Sequence, residues 1–105
     1  MEKSEAAVYA EIFKALGDET RLKIVQMLNT RPRAVGEIVD FFSLSQPTIS
    51  RHLNVLKQCS LVTSKRKGQQ VFYSLDEDIF RQKLLKFFES LESAKGGVSA
   101  AKKKS

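Results

Sequence analysis

The chain is short of several residue types, and each shortage excludes a class of protein. Its one cysteine, Cys59, cannot form an intrachain disulfide, which excludes a disulfide-stabilised scaffold and suits a reducing compartment. No run of about 18 apolar residues is present and the first residues lack a signal-peptide pattern, so we expect a cytoplasmic protein that does not enter a membrane. The chain has only one histidine in addition to this one cysteine, so it lacks the thiolate and imidazole ligands of a conventional transition-metal site. We therefore expect no metal and no cofactor.

Acidic residues are missing from the whole stretch between Phe41 and Leu75, although the chain contains 12 of them. The same stretch carries five lysines and arginines. The net charge of +6 is less informative, because the four lysines after residue 94 supply most of it. A surface cleared of negative charge favours contact with the phosphate backbone of a nucleic acid. The alternative is that short loops lack acids by chance.

Helical spacing of apolar residues predicts four helices in the first part of the chain. They cover residues 5–16, residues 19 to about 29 after a cap at Asp18, about Ala34–Phe42, and about Gln46–Gln58. Residues 30–33 form a turn, because Pro32 disfavours helix just before it. Two short helices joined by three residues, 43–45, are typical of helix-turn-helix geometry.

The period of the apolar residues then changes from helical to two. Residues 61–66 and 71–75 are β-branched, aromatic or alternating, and residues 67–70 join them around Gly68, which predicts a β-hairpin. A fifth helix follows a cap at Asp76 and runs to about Ser93. The predicted fold is mostly α, in the order four helices, two strands, one helix. We expect residues 1–94 to form one domain and the Lys-rich residues 95–105 to be disordered.

The helix predicted over residues 46–58 has two faces of opposite character. Ile49, Leu53 and Leu56 share a stripe that must face the core. The other face lacks carboxylates and carries Gln46, Ser50, Arg51 and Asn54. Arg pairs bidentately with guanine, Gln and Asn with adenine, and Ser with either, so we predict that these four side chains read base edges in DNA. For a helix considered alone, a solvated amphipathic face is the alternative.

Cations gather at the tip of the hairpin, where Lys65, Arg66 and Lys67 precede Gly68. Three cations on an exposed turn can straddle phosphates or enter a minor groove. The alternatives are solubility and protection of a strand edge by charge.

Three residues of the fourth helix and its cap are also expected near the DNA backbone. Ser45 is the predicted N-cap, whose oxygen accepts from Thr48 because Pro47 has no N–H to donate. His52 lies beside the core stripe and is interpreted as a half-buried imidazole that is structural or contacts phosphate. We assign Ser45, Thr48 and His52, with the three hairpin cations, to the backbone of double-stranded DNA.

Three segments together resemble the ArsR/SmtB family of bacterial winged helix-turn-helix repressors. They are residues 15–24 (ALGDETRLKI), 44–56 (LSQPTISRHLNVL) and 66–75 (RKGQQVFYSL), and the likeness covers about residues 8–92. The resemblance implies a winged helix-turn-helix homodimer that binds an operator with inverted half-sites and represses transcription, often of its own operon. By matching positions it also implies that Gln46, Ser50 and Arg51 contact bases.

The resemblance further implies dimerisation through the first and last helices. Both helices carry more large apolar residues than a small monomer easily covers. The candidates for the interface are Ile12, Phe13, Leu16, Phe80, Leu84, Phe87 and Phe88. Packing of the two helices within one chain is the alternative, and it can coexist with dimerisation.

The chain departs from the family where many members bind a metal. The third helix reads Gly36-Glu37-Ile38-Val39-Asp40, without the Cys-x-Cys element, and the last helix has no histidine. Smaller departures are Ser43, where the family's turn often has glycine, and Pro47, which replaces a small polar residue. We therefore expect a repressor without a conventional metal-sensing site, controlled by its abundance or by a partner protein, or by no effector.

Other functions stay open at this point. A winged helix can serve protein contact without DNA affinity, and a repressor can carry an effector site that the motifs do not reveal. Activation instead of repression is also open. An enzyme is disfavoured, because the chain has no Gly-rich phosphate loop after a strand and no paired catalytic carboxylates.

Overall fold

A computed structural model describes residues 3–94. In this range the chain forms five helices and three strands, which are α1 (Glu5–Leu16), α2 (Glu19–Thr30), β1 (Arg33–Ala34), α3 (Val35–Phe42), α4 (Gln46–Gln58), β2 (Val62–Lys67), β3 (Gln70–Leu75) and α5 (Glu77–Ala94). The predicted winged helix-turn-helix fold, mostly helical with a β-hairpin, is confirmed. The tail predicted at residues 95–105 lies outside the described residues.

The sheet has one strand more than predicted. Arg33, predicted to lie in a turn, and Ala34, predicted to begin the third helix, pair antiparallel with Tyr73 and Phe72. The strand order is therefore β1-β3-β2, and α3 begins one residue later, at Val35. Two residues carry no readable strand pattern, and the pairing with β3 is what makes them a strand.

The hairpin turn is shorter than the predicted four-residue loop. Lys67 and Gln70 are paired, which leaves only Gly68 and Gln69 in the turn. Gly68 has φ 62° at the first of the two central positions, the place where a type II′ hairpin turn favours glycine. Both strands therefore extend to the turn, and the hairpin cations belong to β2.

Side-chain caps fix the starts of three helices. Ser4 Oγ accepts from the N–H of Ala7, Asp18 Oδ2 from the N–H of Arg21, and Asp76 Oδ1 from the N–H of Ile79, all at 3.1 Å. Each bond satisfies one of the donors that a helix start leaves unpaired. The predicted caps at Asp18 and Asp76 are confirmed.

Replacing Asp18 by alanine is expected to lower the free energy of unfolding by about 0.5–2 kcal/mol at neutral pH, because the variant loses the cap of α2. The hydrogen bond from the backbone N–H of Arg21, with the nearby positive charge, lowers the pKa of Asp18 below its ordinary 3.8. Because the folded pKa is the lower one, the contribution is complete above the ordinary value and is lost as the pH falls through the folded value. The difference in unfolding free energy between variant and wild type is therefore expected to shrink from pH 7 to about pH 2.5, and urea unfolding over that range measures it.

The neighbouring Glu19→Ala variant serves as the control for Asp18→Ala. Glu19 is exposed and, among residues 3–94, pairs only with Lys23 at the surface, so its removal is expected to change stability by less than about 0.5 kcal/mol. A deficit of Asp18→Ala that stays constant into acid would contradict the assigned role of the carboxylate.

The corner between α3 and α4 is made by a serine in the left-handed region. Ser43 has φ 56° and ψ 37°, and its N–H donates to Val39 O at 2.9 Å, which closes the last turn of α3. Ser45 then caps α4, with its Oγ accepting from Thr48 N at 3.3 Å. Pro47 lies in the first helical turn, where its missing N–H removes no helical hydrogen bond. The predicted cap is therefore confirmed.

The core lies where the inner faces of the helices meet the base of the sheet. Its buried members are Ile12, Ala15, Ile24, Val25, Leu28, Ile38, Ile49, Leu53, Leu56, Leu61 and Val62. The three from α4 form the stripe that the helical periodicity predicts. Their burial fixes which face of α4 is left for solvent.

Candidate nucleic-acid interface

The polar face of α4 is turned outward. Gln46, Arg51 and Asn54 are exposed and Ser50 is half-buried, while the opposite stripe of the helix has no accessible surface. Within residues 3–94, none of these four side chains forms a side-chain hydrogen bond or an ion pair. Their donors and acceptors are therefore available to an external partner.

One cleft brings together the start of α4 and the β2–β3 hairpin, residues 62–75, which is the wing of the fold. The cleft has a volume of about 410 Å³, and Gln46 and Ser50 line it from α4 while Arg66, Gln69 and Gln70 line it from the wing. No carboxylate is among the lining residues. Amide, hydroxyl and guanidinium groups can each donate a hydrogen bond, so the cleft suits an electron-rich surface such as base edges or phosphate.

The cations of β2 lie on the outer strand of the sheet. Lys65, Arg66 and Lys67 are exposed, and none of them forms an ion pair with another residue of the described range. The ammonium of Lys67 lies 5.7 Å from the ring centroid of Phe72. Lys57 Nζ donates to Ser64 Oγ at 2.7 Å and so ties the end of α4 to the wing.

The hydroxyl groups at the start of α4 are already engaged with one another. Ser45 Oγ accepts from the backbone of Thr48 and also donates to Thr48 Oγ1 at 2.9 Å. Thr48 is half-buried and Ser45 exposed. A phosphate at this helix start would still meet the positive end of the helix dipole.

His52 has a partner that the sequence did not suggest. Its side chain is 18% exposed, and its Nδ1 lies 2.9 Å from Arg21 Nη1 and 3.9 Å from Asp18 Oδ2. Arg21 and His52 are 31 positions apart, so no local pattern joins them. The ring is therefore held from the side of α2.

The candidates for dimerisation divide between the protomer core and its surface. Ile12 is only 3% exposed and belongs to the core of the protomer. Phe87 packs edge-on against Tyr9 and Phe13, with ring centroids 5.4 Å and 4.8 Å apart. Phe13 and above all Phe88, which is 61% exposed, remain accessible.

An apolar groove separates α2 from α5. It has a volume of about 590 Å³, and the predicted Phe80, Leu84 and Phe88 line it. Leu22 and Leu85 also line it and are exposed, although neither is among the residues predicted for the interface. The spacing of Leu85, Phe88 and Leu91 on one side of α5 is the signal that could have identified Leu85.

The single thiol is placed for packing. Cys59 is half-buried, its Sγ lies 3.6 Å from Glu11 O, and burial raises the pKa of the thiol. A raised pKa disfavours the thiolate, the form that binds metals and reacts.

Residues 3–94 contain no group of three His, Cys, Asp or Glu side chains placed to hold a metal ion. None of the helices in that range combines the length and apolar content needed to cross a bilayer.

Comparison with protein families and curated sequences agrees with this geometry. The model of the arsR family of bacterial regulatory proteins matches residues 18–64, from the cap of α2 into β2. The transcriptional repressor SdpR of Bacillus subtilis is 40% identical over 73 residues, which cover 70% of this chain and 81% of the repressor. An uncharacterised HTH-type transcriptional regulator of Methanocaldococcus jannaschii is 41% identical over 92 residues, which cover 87% of this chain and 100% of that protein.

Solved structures give the same result. HlyU from Vibrio cholerae is 35% identical with a TM-score of 0.67, over 81% of this chain and 92% of HlyU. The homodimeric winged helix-turn-helix DNA-binding domain of a possible ArsR-family transcriptional regulator from Mycobacterium bovis is 30% identical with a TM-score of 0.68, over 90% and 91% of the two chains. Proteins of this family are transcriptional regulators and not enzymes, which confirms the class predicted from the sequence. The chain belongs to the arsR family of bacterial regulatory proteins.

Proposed function

We propose that the protein is a homodimeric repressor that binds a DNA operator with inverted half-sites. The observation that carries this proposal is the cleft shared by α4 and the wing, where unpaired amide, hydroxyl and guanidinium groups face outward and carboxylates are absent. Gln46, Ser50, Arg51 and Asn54 contact base edges in the major groove. An α-helix fits that groove, and these residue types match its donor and acceptor pattern.

The wing supplies the contacts that do not depend on sequence. Arg66 lines the cleft, so it reaches the phosphates beside the groove that α4 occupies. Lys65 and Lys67 flank Arg66 on the same exposed strand and reach phosphates further along the backbone. Thr48 and His52 add neutral donors at the start and the side of α4. Ser45, whose hydroxyl already donates to Thr48 Oγ1, lies beside them near the backbone phosphates. We place the protein in the cytoplasm, together with the DNA that it binds.

Dimerisation sets the spacing of the two half-sites. Phe13, Leu16, Phe80, Leu84, Phe87 and Phe88 remain at least partly accessible in the protomer, and a second copy would cover them. The relative from Mycobacterium bovis is described as homodimeric, which supports this arrangement. The two copies of α4, the recognition helix of each subunit, are related by a twofold axis and read half-sites one helical turn apart, or a multiple of a turn. Regulation then proceeds without a conventional metal site.

Arg51→Ala is expected to weaken binding to the operator by about 1–3 kcal/mol and to relax the preference for the base that Arg51 contacts, because a bidentate base contact is lost.

Arg66→Ala is expected to weaken binding to all DNA alike, because a phosphate contact is lost. The slope of log affinity against log salt concentration is expected to fall by about one. Selection of bound fragments from the source genome supplies the operator, and affinities for operator and random duplex at several salt concentrations separate the two effects.

Lys23→Ala is the matched control for these variants. Lys23 carries the same charge but lies on α2 and pairs with Glu19 at 3.1 Å, so both the affinity and the salt slope are expected to stay at the wild-type values. Equal loss on operator and random DNA for Arg51→Ala would exclude a base-reading role for Arg51. Absence of any salt-dependent DNA binding by the wild type would exclude the proposed function.

A further inference from the structure

Arg21 joins three parts of the fold at one point. Its Nε donates to Ala15 O at 2.6 Å and its Nη2 to Lys14 O at 3.4 Å, which are carbonyls in the last turn of α1. Helix ends leave such carbonyls without helical partners, and a cation there is favoured by the helix dipole. The remaining Nη1 lies 2.9 Å from Nδ1 of His52 on α4. One side chain therefore connects the end of α1 to the recognition helix.

The chemistry of the two groups decides the state of the imidazole. A guanidinium has only donors, so the close contact requires Nδ1 of His52 to be the acceptor. The proton of the neutral ring must then be on Nε2, which leaves Nε2–H as the only donor of the ring. Protonation of Nδ1 would remove the acceptor and set two cations against each other.

The charged groups around the ring are few. Asp18 Oδ2 lies 3.9 Å from Nδ1, and Arg21 is the cation in contact with it. Lys3, Glu11 and Lys14 line the adjoining cleft with Arg21, and Arg51 precedes His52 on α4. The pKa of Asp18 is lowered, first by the hydrogen bond from the backbone N–H of Arg21, so Asp18 is a carboxylate at neutral pH.

We infer that Arg21 is a positioning residue for the recognition helix, which holds His52 as the neutral Nε2–H tautomer and so fixes α4 against the end of α1. This inference rests on the proposed function, since its consequence is an effect on operator reading. With the contact in place α4 is held against the end of α1. Removal of the contact is expected to free α4, and discrimination between operator and random DNA falls with it.

The first test observes the ring directly in the full-length protein. His52 is the only histidine of the chain, so a sample labelled with ¹⁵N at histidine shows one imidazole. In the wild type the neutral ring is expected to carry its proton on Nε2, because the guanidinium occupies Nδ1. In Arg21→Met the donor to Nδ1 is gone, so the ring is expected to become a mixture of its two neutral tautomers. Arg21→Lys, which retains a donor, is expected to restore part of the wild-type preference. Lys23→Met, which removes the same charge from α2 without touching the ring, is expected to leave the tautomer unchanged.

The second test measures the ratio of operator affinity to random-DNA affinity. The ratio is expected to fall roughly tenfold in Arg21→Met. His52→Gln retains an acceptor for Arg21, whereas His52→Leu has none. Both lack the imidazole, so the ratio is expected to be higher for His52→Gln than for His52→Leu.

The outcomes separate the inference from the function on which it rests. If Arg21→Met has the wild-type tautomer and the wild-type affinity ratio, the inference is overturned while the repressor function stands. If the wild type binds no DNA, the function fails, and the ¹⁵N spectrum still decides whether Arg21 holds the ring. If Arg21→Met does not fold, the comparison of His52→Gln with His52→Leu decides, and equal affinity ratios for the two would overturn the inference.

Discussion

Replacing Leu53 by alanine is expected to lower the free energy of unfolding by about 2–5 kcal/mol, the range for deleting a buried leucine side chain whose cavity does not collapse. Leu53 has no accessible surface and lies on the middle of the inner stripe of α4, between Ile49 and Leu56. A small domain has a net stability of roughly 5–15 kcal/mol, so a loss of this size is a large part of the total. Equilibrium unfolding in urea, monitored by circular dichroism, measures it.

Asn54→Ala is the matched control, because it changes the next residue of the same helix. Asn54 is exposed on the polar face, so its removal is expected to change stability by less than about 0.5 kcal/mol but to weaken operator binding. Leu53→Ala is therefore expected to lose stability, whereas Asn54→Ala is expected to lose operator affinity. A stable Leu53→Ala protein together with an unstable Asn54→Ala protein would mean that α4 is rotated from the orientation described.

Phe88→Glu is expected to convert the dimer to a monomer and to lower operator affinity by about 10²–10⁴-fold, because the second half-site is then no longer bound by a linked subunit. Phe88 is 61% exposed in the protomer and lines the apolar groove between α2 and α5. Large aromatic side chains at the centre of an interface contribute most of its binding energy, and a buried unpaired carboxylate opposes association. Sedimentation equilibrium gives the oligomeric state, and titration of a labelled operator gives the affinity.

Phe41→Glu is the control for oligomeric state. Phe41 is 65% exposed at the end of α3 and does not line the groove. The same substitution at an equally exposed phenylalanine is therefore expected to leave the dimer intact. A Phe88→Glu protein that remains dimeric would place the interface elsewhere on the molecule.

Local sequence signals were sufficient for most of the helical framework. The starts and ends of α1 and α4 agree with the prediction, because both have a strong apolar period and a capping serine or a glycine at a boundary. The polar face of α4 followed from the same period, since burial of one stripe decides the exposure of the other. The caps at Asp18, Ser45 and Asp76 are also local, and all three are present.

Features that depend on distant partners could not be read from the sequence. β1 exists because Arg33 and Ala34 meet Tyr73 and Phe72 after the chain has folded back. The contact of Arg21 with His52 has the same origin. Ile12 was selected for the dimer interface because it shares a stripe with Phe13 and Leu16, but a helical stripe alone does not distinguish a side chain buried within the protomer from one left for a partner.

No linker residue separates β1 from α3. Ala34 ends the strand and Val35 begins the helix, and Ala34 is buried at the junction. Since β1 is hydrogen-bonded to β3, the wing is attached through backbone bonds to the first helix of the helix-turn-helix pair. Duplex DNA therefore meets a protein surface that is already shaped before contact, and little conformational entropy of the wing is lost when the complex forms.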